Sequence, residues 1–307
     1  MIERWNRWWF PQSDGLDLAV CRILAAGSLL FVFLPFFMTS PSEHIALIER
    51  PGGFDHPQWM IPLLAALVPA DSSAWPHLVR GAFAVAIGAG VTTLIGLRTR
   101  TSAALLTLAT WFLVSHDGSY GEIHHPEIVL SLFLLFLALS PSGRRLSIDA
   151  LLGGRPEGMT DRAVWPLKLT QVLLAWTYFS NAAAKLLYSG LEWMNGYTLQ
   201  QSMLYSSLQW GRPLGFRLAQ HHDLCVALSI ATVAFELLFP LALFVPRSRT
   251  ALLLSGALFH LVLYFTMNIG FFQNVILYAV FADFRGPGTR LRALLWGERR
   301  NDARVEI

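Results

Sequence analysis

The sequence predicts an all-α integral membrane protein: a bundle of about eight transmembrane helices, both termini cytoplasmic, with one helix lying along the external surface. Composition is the first ground. Of 307 residues 54% are apolar and only 14% charged, with a mean hydropathy of +0.47, where a soluble domain carries about 25% charge. Spacing is the second, because the charges gather between apolar runs, several of them long enough to cross a hydrocarbon core of about 30 Å. Arginine placement is the third. With both ends inside, the cytoplasmic segments hold sixteen arginines, while the external loops hold only Arg50, Arg212 and Arg217. No linker, low-complexity stretch or internal repeat divides the chain, so one membrane domain over 1–307 is expected. The net charge of +3 comes from loop arginines and suits membrane orientation, not nucleic-acid binding. Cys21 and Cys225 lie in apolar runs without CxxC or Cys/His spacing, so nothing in the sequence supports a disulfide framework or structural zinc.

The elements follow in order. Residues 1–13, with Arg4, Arg7 and several tryptophans, have the make-up of a cytoplasmic interfacial segment. Leu16 to Phe37 is the first span, with Asp17 and Arg22 placed to partner each other near the inner interface. No small-x-small cleavage site follows, so it reads as a retained anchor. Thr39 to Ala74 is a loop whose run Trp59 to Val68 is too brief to cross. Trp75 to Leu97, Thr101 to Ser115, Glu127 to Leu139 and Val164 to Tyr188 are spans two to five. Glu192 to Asp223 is too polar to cross, and its spacing of Trp193, Tyr197, Leu199, Met203, Leu204 and Leu208 suits a surface helix. Leu224 to Val245, Ala251 to Met267 and Phe271 to Phe284 complete the eight, or seven if the last pair is a re-entrant hairpin. Residues 285–307 form a basic cytoplasmic tail.

The uncommitted polar residues fall mostly on the external side. His116, Asp117, His124, His125 and Glu127 flank the loop between spans three and four. Lys185 lies toward the outer end of span five, with Tyr178, Ser180 and Asn181 before it and Trp193 after it. His221 and His222 open span six, Asn268 turns between spans seven and eight, and Glu236 and His260 lie deeper. Together they imply an external-side pocket. By position alone Lys185 is compatible with snorkelling its ammonium to the interface. In an apolar pocket, however, a lysine becomes available as a neutral base. Such a base could deprotonate a lipophilic quinol, with His125 and Asn268 hydrogen-bonding its oxygens. Glu236 precedes Pro240, so it either serves freed backbone groups or acts in a proton relay. His260 either bonds across helices or contacts substrate. Adjacent His124 and His125 point apart and match no standard zinc or iron spacing, so no metal is expected.

Four stretches together resemble the horizontally transferred transmembrane (HTTM) domain family, whose best-known member is the vitamin K-dependent γ-glutamyl carboxylase. LDLAVCRILAAGSLL is similar to its opening span, with an acid followed by Arg-Ile. HHPEIVLSLFLLFLALSPSGRRLSIDALL resembles its span and loop that begin with His and end in Ser-x-Asp. YFSNAAAKLLYSGLEWMNG resembles its Tyr…Ala-x-x-Lys-Leu…Trp-x-x-Gly block, and FHLVLYFTMNIGFFQN its His…Asn-x-Gly-x-Phe block. The resemblance implies that Lys185 is the catalytic lysine that deprotonates vitamin K hydroquinone. It also implies that His125, or His124, stabilises the reacting species. The carboxylase carries a large lumenal domain after its spans for propeptide-bearing substrates; no comparable stretch follows Phe284, so that manner of substrate docking is not expected.

The expected function is therefore a membrane enzyme with Lys185 as base and Tyr178, Asn181, Trp193, His260 and Asn268 as substrate contacts. Its co-substrates would be a reduced quinone of the vitamin K or menaquinone type, oxygen, and carbon dioxide if a peptide is carboxylated. Expected partners are the lipid bilayer, the quinone, and a peptide substrate or small partner protein. The expected location is a bacterial inner membrane. Two other classes stand beside this reading: a non-catalytic accessory protein in peptide maturation or export, and a small-molecule or proton transporter using Glu236 and His260.

Overall fold

The structure, a computed structural model, describes residues 2–35, 54, 56–120, 126–153 and 158–284; His124, His125 and the 285–307 tail lie outside the described residues. Among these residues all extended regular structure is helical, and one isolated bridge joins Ser13 to Thr160. Helix α1 (Ile2–Trp9) leaves Ile2 and Trp5 exposed and packs Trp8 edge-on against Trp9, while the Lys168 ammonium sits 5.0 Å over the Trp8 ring. Helix α2 (Leu16–Ser28) runs on as one π-helical stretch, Leu29–Phe33. The short α3 (Ile61–Ala65) is the run too brief to cross. Helices α4 (Ala74–Ile95) and α5 (Thr99–Gly118) form a tight hairpin, followed by α6 (Pro126–Leu139) and the short α7 (Ile148–Leu152).

One end of the first half is clasped by polar groups. Arg22, fully buried in α2, donates through its guanidinium to the carbonyls of Ser142, Arg145 and Leu146, and Asp17 accepts the Phe284 N–H at 2.9 Å. The two residues expected to partner each other thus pin α2 to two other segments. Asp149 caps α5 from outside: its carboxylate accepts the N–H groups of Arg98 and Thr99 and the Thr99 hydroxyl, each at 2.7 Å. This satisfies helix-start donors that have no partner within the helix. Ser147 caps its own helix by accepting the Ala150 N–H at 2.9 Å. Gly96 turns the chain between α4 and α5 with φ at 70°, close against Ser147. The Ser-x-Asp segment is therefore a pair of helix caps.

The second half begins with α8 (Trp165–Ser189), whose 25 residues reach about 38 Å at 1.5 Å per residue. A 3₁₀ turn, Gly190–Asn195, leads into α9 (Tyr197–Trp210) and α10 (Pro213–Ala219), the segment read as too polar to cross. Then come α11 (His222–Leu238), α12 (Leu241–Phe244), α13 (Pro246–Met267), α14 (Phe272–Leu277) and a last 3₁₀ turn, Tyr278–Phe281. The expected sixth span, to Val245, breaks after Leu238. Pro240 has no N–H to give the Glu236 carbonyl, so the helix cannot continue through it. The expected third span is longer than read at both ends: the Asp149 cap starts α5 at Thr99, and the helix runs on to Gly118.

Among the described residues three helices are long and apolar enough to cross a membrane: Leu16–Phe33, Ala74–Ile95 and Pro246–Met267; a fourth counts if α10 and α11, bent by 104°, are one span. Leu254, Leu258 and Leu261 on α13 and Val85, Ile87 and Val91 on α4 face outward, a large apolar surface suited to lipid. The main core joins α2, α4, α5, α6 and α8 around Trp75, Phe133 and Leu134. A smaller cluster of Met203, Ala219, Cys225 and Met267 ties α9 and α10 to α11 and α13.

Candidate functional site

Helical spacing assembles one wall of the site. Tyr178, Asn181 and Lys185 stand at i, i+3 and i+7 on α8 and so share a face. Opposite them α11 presents Thr232 and Glu236, one turn apart, and α13 presents His260. Asn274 enters from α14, and Trp193, Leu199 and Ser202 close the end formed by the 3₁₀ turn and α9. These residues enclose a cavity of about 280 Å³, completed by the apolar Phe259, Leu263, Met267 and Phe271. Binding cavities begin near this size and combine apolar walls with a few placed polar groups.

The polar groups form two constellations. In one, the Lys185 Nζ donates to both carboxylate oxygens of Glu236 at 2.6 Å and lies 4.9 Å over the Trp193 ring. Glu236 is nearly buried, at 5% exposure, against 22% for Lys185, so the acid is the deeper partner. Lys185 is thereby turned into the protein, away from the snorkelling its position allows. Glu236 spends both oxygens on Lys185, not on backbone groups freed by Pro240. In the other constellation, the Tyr178 hydroxyl lies 2.5 Å from both His260 Nε2 and the Tyr278 hydroxyl. All three side chains are buried. The His260 Nδ1 and the Asn274 Oδ1 are buried and have no hydrogen-bond partner among the described residues, and both residues line the cavity.

Of the expected site residues, Lys185, Tyr178, Asn181, Trp193, His260 and Glu236 meet in this cavity. Asn268 does not line it. Its φ of 59° ends α13 in a left-handed turn, and its side-chain oxygen accepts a hydrogen bond from Arg212. Asparagine tolerates that conformation better than most residues, which explains its presence there. Asn274, which the sequence reading passed over, supplies a polar group to the lining instead and ends the same FHLVLYFTMNIGFFQN block; Tyr278, also passed over, contributes through its hydrogen bond to Tyr178. His124 and His125 lie outside the described residues. His116 is buried among Phe54, Trp75, Phe112 and Tyr120, away from the cavity wall. His222 stacks on Tyr197 and faces the Gln200 side chain at 3.2 Å. Among the described residues no group of three His, Cys, Asp or Glu side chains is placed to hold a metal ion.

Comparison with known proteins adds one finding: a family model described as HTTM domain matches residues 12–285. No curated protein and no solved structure matches.

Proposed function

The chain belongs to the HTTM domain family, a membrane domain associated with vitamin K-dependent carboxylase, and from that premise we propose that it deprotonates a reduced quinone at Lys185. The observation that carries this reading is a lysine facing a mostly apolar cavity, held by one buried carboxylate at 2.6 Å. Removing water from such a pair costs the charged form more than the neutral acid and amine. An apolar quinol filling the cavity therefore favours leaving the shared proton on Glu236, so that the Lys185 amine takes the proton of the quinol hydroxyl. The resulting quinolate sits beside the new ammonium, which stabilises its charge where water cannot. With oxygen as oxidant the overall reaction balances as quinol plus oxygen giving quinone epoxide plus water. Carboxylation of a peptide glutamate by carbon dioxide is the coupled step if a peptide partner is present.

The test is turnover by detergent-purified protein supplied with menaquinol or vitamin K hydroquinone, oxygen and bicarbonate, with epoxide followed by chromatography. Epoxide from the wild type and a loss of a hundredfold or more in Lys185→Ala is the expected outcome, within the range that a positioned base contributes. If folded wild-type protein forms no epoxide, the quinol reading fails and an accessory role in peptide maturation or export takes its place.

A further inference from the structure

His260 is buried in α13 and lines the cavity; its Nδ1 has no partner among the described residues, while its Nε2 is engaged by Tyr178. The protons of this cluster can be placed by counting donors. Two hydroxyls and one imidazole make two contacts, Tyr278 to Tyr178 and Tyr178 to His260. In one direction Tyr278 donates to Tyr178 and Tyr178 donates to Nε2, so both hydroxyl protons are used and the imidazole proton resides on Nδ1. In the other direction Nε2–H donates to Tyr178 and Tyr178 to Tyr278, which leaves the buried Tyr278 hydroxyl proton with no acceptor among the described residues. Either direction leaves one donor unmade, but the first leaves it as Nδ1–H on a residue that lines the cavity, where a ligand can accept it. The second strands both the Tyr278 proton and the Nδ1 lone pair, and each unmade buried group carries a desolvation cost. The first arrangement wins.

We infer that His260 is a substrate-binding donor whose Nδ1–H, fixed in that tautomer by the Tyr278–Tyr178 pair, takes an oxygen of the ligand at the end of the cavity away from Lys185. The inference rests on the quinol reading of the same cavity and adds the second pole of recognition. Tyr178 and Lys185 are seven residues apart on α8, two helical turns or about 10 Å along the axis. That is the reach of a ring with para oxygens plus a hydrogen bond at each end. The cavity thus selects a 1,4-dioxygenated ring, one oxygen at the Lys185–Glu236 pair and the other at His260. Tyr178 and Tyr278 are positioning residues that act through His260.

The experiment uses full-length protein in detergent, with isotope-labelled histidine nitrogens, and a short-tailed naphthoquinone in its oxidised form, which has no proton to lose. The His260 resonance is assigned by its disappearance in His260→Asn. In the wild type it should report a protonated Nδ1 before ligand is added and should shift when the quinone binds. His260→Leu should weaken quinone binding about tenfold, and His260→Asn, which keeps an N–H near the same place, should recover most of that loss. Tyr178→Phe should give a mixture of tautomers, and Tyr278→Phe a smaller change, because Tyr178 can still donate to Nε2. A protonated Nε2 in the unliganded wild type overturns the inference whatever the variants do. Quinone that binds without moving the His260 resonance, or equally well to His260→Leu, overturns it and leaves the quinol reading standing. Wild type that binds no quinone overturns both.

Discussion

A charge removed from water needs its counter-charge, and in this protein Lys185 and Glu236 have each other at 2.6 Å across 51 positions of sequence. Glu236→Gln removes the counter-ion but leaves the ammonium facing an apolar cavity. Breaking a buried pair from one side costs about 3–5 kcal/mol, less here because Lys185 is partly exposed. The expected result is a lower thermal midpoint in detergent together with lost quinol turnover. Replacing both residues, Lys185→Met with Glu236→Leu, should restore the midpoint to near wild type, since apolar substitutes for a buried pair are commonly neutral or better. Turnover should stay lost in the double variant. A double variant as unstable as the single one would mean that the pair contributes more than its charges. The sequence makes the α8 side of this site legible, because Tyr178, Asn181 and Lys185 follow the helical repeat. The pairings themselves are not legible, since no periodicity relates Lys185 to Glu236 or Tyr178 to His260, 82 positions away. Asn268 and Asn274 show the same limit: both are asparagines of one block, and only the fold decides which caps a helix and which enters the cavity.

Between helices the close contacts are set by small residues and caps. A side chain at Gly256, one turn before His260 on α13, would place its Cβ 2.3 Å from the Tyr278 hydroxyl. The rigid ring cannot fold away from it, so Gly256→Ala should displace Tyr278 from Tyr178. Alanine favours the helix by up to about 1 kcal/mol, yet overpacking of this kind costs about 1–3 kcal/mol. The expected net effect is a small loss of stability with the His260 nitrogen spectrum altered as in Tyr278→Phe. At the clasp, burial alone would raise the Asp149 carboxyl, but hydrogen bonds from Thr99 and Arg98 and the nearby Arg22 charge together hold it below its ordinary 3.8. A lowered folded value means that the carboxylate stabilises the fold above the ordinary range and that this contribution fades as pH falls through the folded value. Asp149→Asn, which keeps one acceptor oxygen and replaces the other with an amide donor, should therefore lower the midpoint at neutral pH, through a loss of about 1 kcal/mol for the unmade bonds, and flatten its decline on acidification. A thermal series in detergent from neutral pH to about pH 3, where carboxylates titrate, reads both effects. An unchanged acid limb in Asp149→Asn would show that other carboxylates govern it. The Ser-x-Asp spacing was visible in the sequence as a family resemblance, but its physical meaning was not, because the α5 start it caps lies about 50 positions away.

At the scale of the whole molecule, the apolar runs locate nearly every long helix, yet among the described residues three helices, or four with the bent pair, meet the length and hydropathy of a lipid-exposed span. The shortfall has a physical cause. A helix that faces other helices more than lipid can be shorter, as α6 is, or more polar, as α8 is with Lys168, Gln171 and Lys185. Such helices satisfy their polar groups inside the bundle: the Gln171 amide donates to the Val280 carbonyl at 2.6 Å, and Lys185 to Glu236. An eight-span bundle with both termini cytoplasmic remains the arrangement that the arginine distribution favours, and it places the α9–α10 cap outside. This orientation can be read directly, because both native cysteines are buried and offer little background to a thiol reagent. Gln220, at the end of α10, and Arg247, at the start of α13, are both exposed. In intact cells a membrane-impermeant maleimide should label Gln220→Cys at once and Arg247→Cys only after permeabilisation. The reverse pattern would turn the cap, and the cavity end it closes, toward the cytoplasm, where any peptide partner would have to be met before export. Labelling of both positions in intact cells would mean that α11 and α12, the stretch between them, do not cross, and the eight-span arrangement would fall.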